Sequence, residues 1–293
     1  MPHLALTLAL TGLDPQAAEA ACFDAGAVSV TLTDAADDAI LEPLPGEERL
    51  WPHTVLQAIF DADTASPALI AGLAGRLGVA PEQLTAVTVA DRAWEREWLK
   101  DFHAMRFGRR LWIVPHHEPL PADPEAVVVR LDPGLAFGTG THPSTALCLR
   151  WLDAHLEPGT RVIDYGCGSG VLAIAAAHLG AAHVDCYDLD PQAGIATHDN
   201  AAANGVQSRL TIHDDPGALP GDAKLLLANI ISGTLCELAP AFARLLAPGA
   251  RLVLAGILDE QADEVIATYA RWFTIEPWQR QEGWTALAGT RSR

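Results

Sequence analysis

Over the last two thirds of the chain, short apolar runs alternate with longer stretches of helical periodicity, a pattern that predicts a parallel sheet wrapped by helices. The elements read as helix 143–154, strand 161–165, helix 171–179, strand 184–188, helix 191–203, strands 209–213 and 224–228, helix 233–245, strand 250–257 and helix 259–271. A closing pair at 273–277 and 284–289 is joined by Gln281-Glu282-Gly283, too short for a helix, so it is an antiparallel hairpin at one edge. Ahead of this block, 111–114 and 126–131 form a further pair of strands. The first ninety residues follow another order: strand 4–10, a helix from Asp14-Pro15 to Gly26, strands 28–32 and 54–60, helix 67–77 and strand 84–89. That β-α-β-β-α-β order resembles a ferredoxin-like sandwich, whose topology fixes no function. Between the blocks, Trp94, Trp98 and Phe102 recur at i, i+4 and i+8, the spacing of one helix face that packs against a domain. The expected organisation is a ferredoxin-like domain at 1–90, a linker helix at 91–105 and a Rossmann-like α/β domain at 106–293.

Composition narrows the function classes. Acidic residues outnumber basic ones 37 to 19, for a formal charge of −18. A duplex-binding surface needs clustered Lys and Arg, so no direct contact with nucleic acid is expected, whereas a basic protein partner would be steered in. No apolar run approaches the ~20 residues of a membrane helix, and Met1-Pro2-His3-Leu4 lacks the basic segment of a secretory signal. Cys22, Cys148, Cys167, Cys186 and Cys236 are scattered and never spaced C-x-x-C, which argues against zinc and disulfides and fits a reducing cytoplasm.

The candidate chemistry lies at the strand ends. Val162-Ile163-Asp164-Tyr165-Gly166-Cys167-Gly168-Ser169-Gly170 delivers three glycines to the start of an Ala-rich helix, where backbone N–H groups can approach a small ligand. The spacing is G-x-G-x-G rather than the dinucleotide G-x-G-x-x-G, and Asp164 precedes it. A carboxylate there would repel a diphosphate and attract a sulfonium or ammonium, which favours S-adenosylmethionine over NAD. The next apolar run ends at Asp188, placed to hold two ribose hydroxyls, and Asp190-Pro191 opens the following helix. In the loop 131–145, Phe137 can lie against the ligand while Gly138, Thr139 and Gly140 bring backbone donors near. Leu225-Leu226-Leu227-Ala228-Asn229 ends a strand in an uncharged acceptor, suited to holding the N–H bonds of an amine nucleophile. Taken singly, the glycine turn, the strand-end Asp and the strand-end Asn each also read as ordinary turn or cap residues. His142 is the nearest candidate base, and also a candidate helix start. His116 and His117 would face opposite ways on a strand and make no metal pair.

Together these motifs resemble the PrmA-type methyltransferases over nearly the whole chain, including Trp94 to Trp98, the Leu131 to Thr145 loop, Val162 to Gly170, Asp188 to Pro191 and Ala228-Asn229-Ile230. The resemblance implies a seven-stranded methyltransferase sheet, S-adenosylmethionine as cofactor with S-adenosylhomocysteine as product, and methylation of lysine ε-amines and the N-terminal α-amine of large ribosomal subunit protein eleven. It implies that Thr145, Gly166, Asp188 and Asn229 touch the cofactor, with Phe137 and its neighbours beside the methyl donor. It further implies that the first domain holds the ribosomal protein while the aromatic helix lets it swing. Ser144 stands where the family often has threonine, and Ile231-Ser232-Gly233 also departs from the usual pattern. Two other readings share parts of this constellation: a methyltransferase for exocyclic amines of nucleic acid, and a non-catalytic ribosome-assembly factor. The first lacks its proline-proline-aromatic run after Asn229.

Overall fold

Apolar and polar residues alternate along the first strands because one sheet face packs on helices and the other does not. The computed structural model describes residues 3–36, 51–61, 67–89, 102–132, 138 and 140–293. The chain divides into two compact units, Met1–Trp94 and Glu95–Arg293. In the first, β1 (His3–Ala9), α1 (Pro15–Asp24), β2 (Ser29–Asp34), β3 (Thr54–Asp61), α2 (Pro67–Leu77) and β4 (Thr85–Val89) build an antiparallel sheet of order β2-β3-β1-β4. This is the ferredoxin-like order. Leu4, Leu6 and Leu8 of β1 and Leu56, Ala58 and Phe60 of β3 bury against Ala18 and Cys22 of α1 and Leu73 and Ala74 of α2. Asp14 caps α1 by accepting from Gln16 N (3.1 Å), with Pro15 at the first position.

The second unit opens with a small sheet of β5 (Met105–Phe107), β6 (Leu111–Val114) and β7 (Val127–Arg130). The main core follows as α3 (Pro143–His155), β8 (Arg161–Tyr165), α4 (Val171–His178), β9 (His183–Tyr187), α5 (Pro191–Ala203), β10 (Leu210–His213), β11 (Ala223–Asn229), α6 (Ser232–Leu245), β12 (Leu246–Leu258), α7 (Ala262–Tyr269), β13 (Phe273–Gln281) and β14 (Trp284–Arg291). Its seven strands run β10-β9-β8-β11-β12-β14-β13, all parallel except β14, which is antiparallel to both neighbours. The edge hairpin and doubly wound sheet are those expected from the sequence. One face buries an apolar cluster that includes α3 and α4, the other a cluster with α6 and α7. Chain order reverses direction between β8 and β11, so their carboxyl ends flank the crevice where such sheets bind ligands.

Differences from the sequence reading are local. β5 has three residues, too few to show alternation. Residues 259–261 form a 3₁₀ turn rather than the start of α7, because the Gln261 side chain accepts from Leu258 N (3.0 Å). Trp94 and Trp98 lie outside the described residues; residues 102–104 are irregular and β5 begins at Met105, so the expected linker helix does not reach 105, and Phe102 joins the buried cluster of Phe107, Leu111 and Ile113. Among the described residues no helix is long and apolar enough to cross a membrane, and no cluster of His, Cys, Asp and Glu could hold a metal.

Candidate active site

Tyr165 is the last residue of β8, and the turn Gly166-Cys167-Gly168-Ser169-Gly170 carries the chain into α4. Its shape is set by backbone bonds: Gly166 N and Cys167 N both donate to Tyr187 O at the end of β9 (2.7 and 3.1 Å). Gly166 has φ +80°, and a Cβ there would collide with Ile230 Cγ2 from the end of β11. The glycine therefore lets the turn and the β11 terminus close up on each other.

Asp188 follows β9 immediately and is half-buried. Its Oδ2 accepts from Gly168 N (2.8 Å) and its Oδ1 from Asp190 N (3.0 Å). Each carboxylate oxygen has a second lone pair, so the group can still accept from two adjacent hydroxyls. Leu189, the next residue, is 86% exposed, an apolar side chain beside a polar anchor. Asp190 caps α5 through Gln192 N (2.9 Å).

Asp164 departs from expectation. Side chains along a strand alternate, and Asp164 shares the side of Val162, under α4, where it is 0% exposed. Its Oδ2 accepts from Ala173 N (3.0 Å) in the first turn of α4, while Oδ1 has no partner among the described residues. Burial pushes its pKa up to about 8, against the lowering effect of the Ala173 bond, and the Asp188 charge adds to the rise. A carboxyl wholly buried beneath the turn anchors the helix and is not presented to a ligand, which corrects its expected place among the direct cofactor contacts.

Asn229 ends β11, and its Nδ2 donates to Thr145 Oγ1 in α3 (3.1 Å). That commits the amide nitrogen and leaves Oδ1 as the accepting side of the group. Thr145 is 2% exposed, so it reaches the crevice through Asn229 rather than directly. At the start of α3, His142 Nδ1 accepts from Ser144 N (3.3 Å) and faces Ser144 Oγ (2.7 Å), making His142 the N-cap. Burial lowers its pKa, opposed by the Glu282 charge. Its Nδ1 is thus engaged by the start of α3, and the ring serves as part of the helix cap. Gly138 lies over the turn: Ser169 Oγ donates to its carbonyl (2.6 Å). Phe137 and Thr139 lie outside the described residues.

Sequence reasoning missed the residues of α5 and its C-cap that brace the turn and the end of β7. Thr197 Oγ1 donates to Gly168 O (3.0 Å), Asn200 Nδ2 to Ser169 O (2.8 Å), and Asn204 pairs with the backbone of Arg130 through both its amide atoms (2.7 Å each). Their spacing, i, i+3 and i+7, places poor helix formers on one face of an otherwise Ala-rich helix, a signal that was present.

The strand order and the glycine turn bound to Tyr187 O and Asp188 define a Rossmann-like methyltransferase, the class that draws its methyl group from S-adenosylmethionine. The residues fit that cofactor: Asp188 keeps acceptor capacity for a diol, and Leu189 supplies an exposed apolar face beside it. Residues 3–292 match the model of one family, described as ribosomal protein L11 methyltransferase (PrmA). Ribosomal protein L11 methyltransferases of Alkalilimnicola ehrlichii and Pseudomonas aeruginosa (strain LESB58) are 50% and 48% identical, over 99% of this chain and 99% of each relative. The solved ribosomal protein L11 methylase of Lactobacillus delbrueckii subsp. bulgaricus aligns over 66% of this chain and 100% of its own, at 32% identity and a TM-score of 0.61. The chain belongs to the ribosomal protein L11 methyltransferase family.

Proposed function

We propose that this protein transfers methyl groups from S-adenosylmethionine to lysine ε-amines and the N-terminal α-amine of ribosomal protein L11. Family membership supports the substrate, and one observation supports the chemistry: Asn229, at the end of β11, is held by Thr145 with its carbonyl oxygen left to accept. When bound, the cofactor supplies an electrophilic methyl on a sulfonium. Gly138, Gly166, Gly168 and Asp188 would hold it, Asp188 on the ribose hydroxyls, and the family resemblance adds Phe137 and Thr139 as contacts near the methyl donor. Asp164 and Thr145 act from behind, the first by anchoring α4 and the second by fixing the Asn229 amide.

Asn229 Oδ1 accepts an N–H of the neutral amine and so aims the nitrogen lone pair. A lysine has an ordinary pKa near 10.4, so about one in a few thousand is free base at neutral pH. A poorly solvated crevice lowers that pKa. After transfer, the methylated ammonium releases its proton to solvent. Positioning then supplies much of the rate. We assign substrate holding to residues 1–90, connection to 91–105 and catalysis to 106–293, in a cytoplasmic enzyme that acts on a protein rather than on nucleic acid.

Asp188→Ala should weaken S-adenosylmethionine binding roughly ten- to a hundredfold, the loss of about 1.5–3 kcal/mol of charge-assisted bonding. Calorimetry checks this, and an unchanged affinity would remove Asp188 from the site. Transfer of labelled methyl groups to L11, followed by mass spectrometry, tests the acceptor.

A further inference from the structure

Among the described residues, Glu282 alone has a positive φ without being glycine, at +51°. It forms a two-residue turn with Gly283 (φ +80°) between β13 and β14, where Gln281 pairs with Trp284. Such turns favour Asn, Asp or Gly at this position, since a longer side chain in the left-handed region is strained. Strain of this kind points to a task for the side chain.

The turn sits at the carboxyl edge of the sheet, beyond Asn229. Asn229 pairs with Ala255 of β12, Leu258 of the same strand pairs with Trp284, and Gly283 O accepts from Asp259 N (2.9 Å). Three residues along β12, with an irregularity at Gly256, therefore carry the hairpin outward from the Asn229 level by at most about 10 Å. Contacts link the two positions. Asn229 bonds Thr145 in the first turn of α3, His142 caps that helix, and the His142 ring stands edge-on to Trp284 (centroids 4.6 Å). The Glu282 carboxylate is oriented rather than loose: Arg150 Nη1 donates to Gln281 Oε1 (2.5 Å), and Gln281 Nε2 donates to Glu282 Oε1 (3.0 Å). Its other oxygen faces no Lys or Arg ion pair among the described residues, and the side chain is exposed.

Building on the proposed function, we infer that Glu282 is the docking carboxylate for the cationic form of the acceptor amine, at the mouth defined by His142 and Trp284. Most lysine side chains arrive as ammonium ions. A carboxylate at the reacting nitrogen would stabilise that unreactive form; one displaced outward gathers the ammonium and leaves the deprotonated amine to Asn229. Glu282 therefore acts on capture, not on the methyl transfer itself.

The test uses full-length enzyme, S-adenosylmethionine and L11. Glu282→Gln retains an acceptor for Gln281 and removes the charge. It should raise KM for L11 about three- to tenfold, with kcat and cofactor affinity within about twofold of wild type and a weaker salt dependence of kcat/KM. Glu282→Asp, which keeps the charge and suits the turn better, should restore KM. A Glu282→Gln enzyme with wild-type KM for L11 would overturn the inference, as would a fall in kcat alone. Absence of transfer to L11 by the wild type, with cofactor binding intact, would instead sink the proposed acceptor and this assignment with it.

Discussion

Asp164 shows how burial can reverse the meaning of a charged residue. Its folded pKa of about 8 lies far above the ~3.9 of an unfolded aspartate. An acid raised in this way favours the folded state fully only at low pH: as pH climbs from about 4 to about 8 the unfolded chain ionises while the folded one does not, so stability falls across that window. Asp164→Asn mimics the neutral acid, keeps an acceptor for Ala173 N and cannot ionise. Its stability relative to wild type should therefore rise between about pH 5 and about pH 8, by a few kcal/mol in order of magnitude. Urea unfolding at several pH values checks this, and parallel profiles would show that Asp164 is ionised in the folded protein. Two strand-end positions stand out in the sequence: Asn229 is the first polar group after the apolar run 225–228, and Asp188 follows directly on Cys186-Tyr187. Asp164 was legible as part of the turn but not as a buried group, although its two-residue offset from Val162 already placed it on a covered face.

Helices and strands emerged within a few residues of their sequence-derived bounds wherever caps marked them, as with Asp190-Pro191 before α5 and Asp14-Pro15 before α1. What remained hidden was how one element fastens another, since that depends on tertiary approach rather than periodicity. Helix α5 is the main instance. Asn204, its C-cap, lies 74 residues from Arg130, yet its amide takes the place of a strand neighbour for the end of β7. Asn204→Ala would leave the N–H and carbonyl of half-buried Arg130 without these partners. The expected cost is about 1–3 kcal/mol, read as a lower urea midpoint with unchanged slope. Asn204→Asp, which keeps the acceptor but not the donor, should fall between the two. No change in midpoint on Asn204→Ala would mean that water replaces the amide at no cost.

Charge is distributed unevenly between the two units. Residues 1–94 contain 13 Asp and Glu against 3 Lys and Arg, a net −10, so over half of the chain's −18 lies in about a third of its length. Every described residue of the candidate site lies instead in the second unit, which has its own apolar clusters on both faces of the main sheet. A unit with a complete core is expected to fold by itself. Residues 95–293 expressed alone should therefore bind S-adenosylmethionine within about twofold of the full chain, but lose most of kcat/KM on L11 under the proposed assignment of substrate holding to the acidic first unit. In the full chain, raising ionic strength from about 0.05 M to about 0.5 M shortens the screening length from roughly 14 Å to roughly 4 Å, so kcat/KM on L11 should fall while cofactor affinity changes little. The truncated enzyme should show a shallower salt dependence. If residues 95–293 methylated L11 as efficiently as the full chain, the first unit would have no part in holding the substrate, and its negative charge would serve solubility alone.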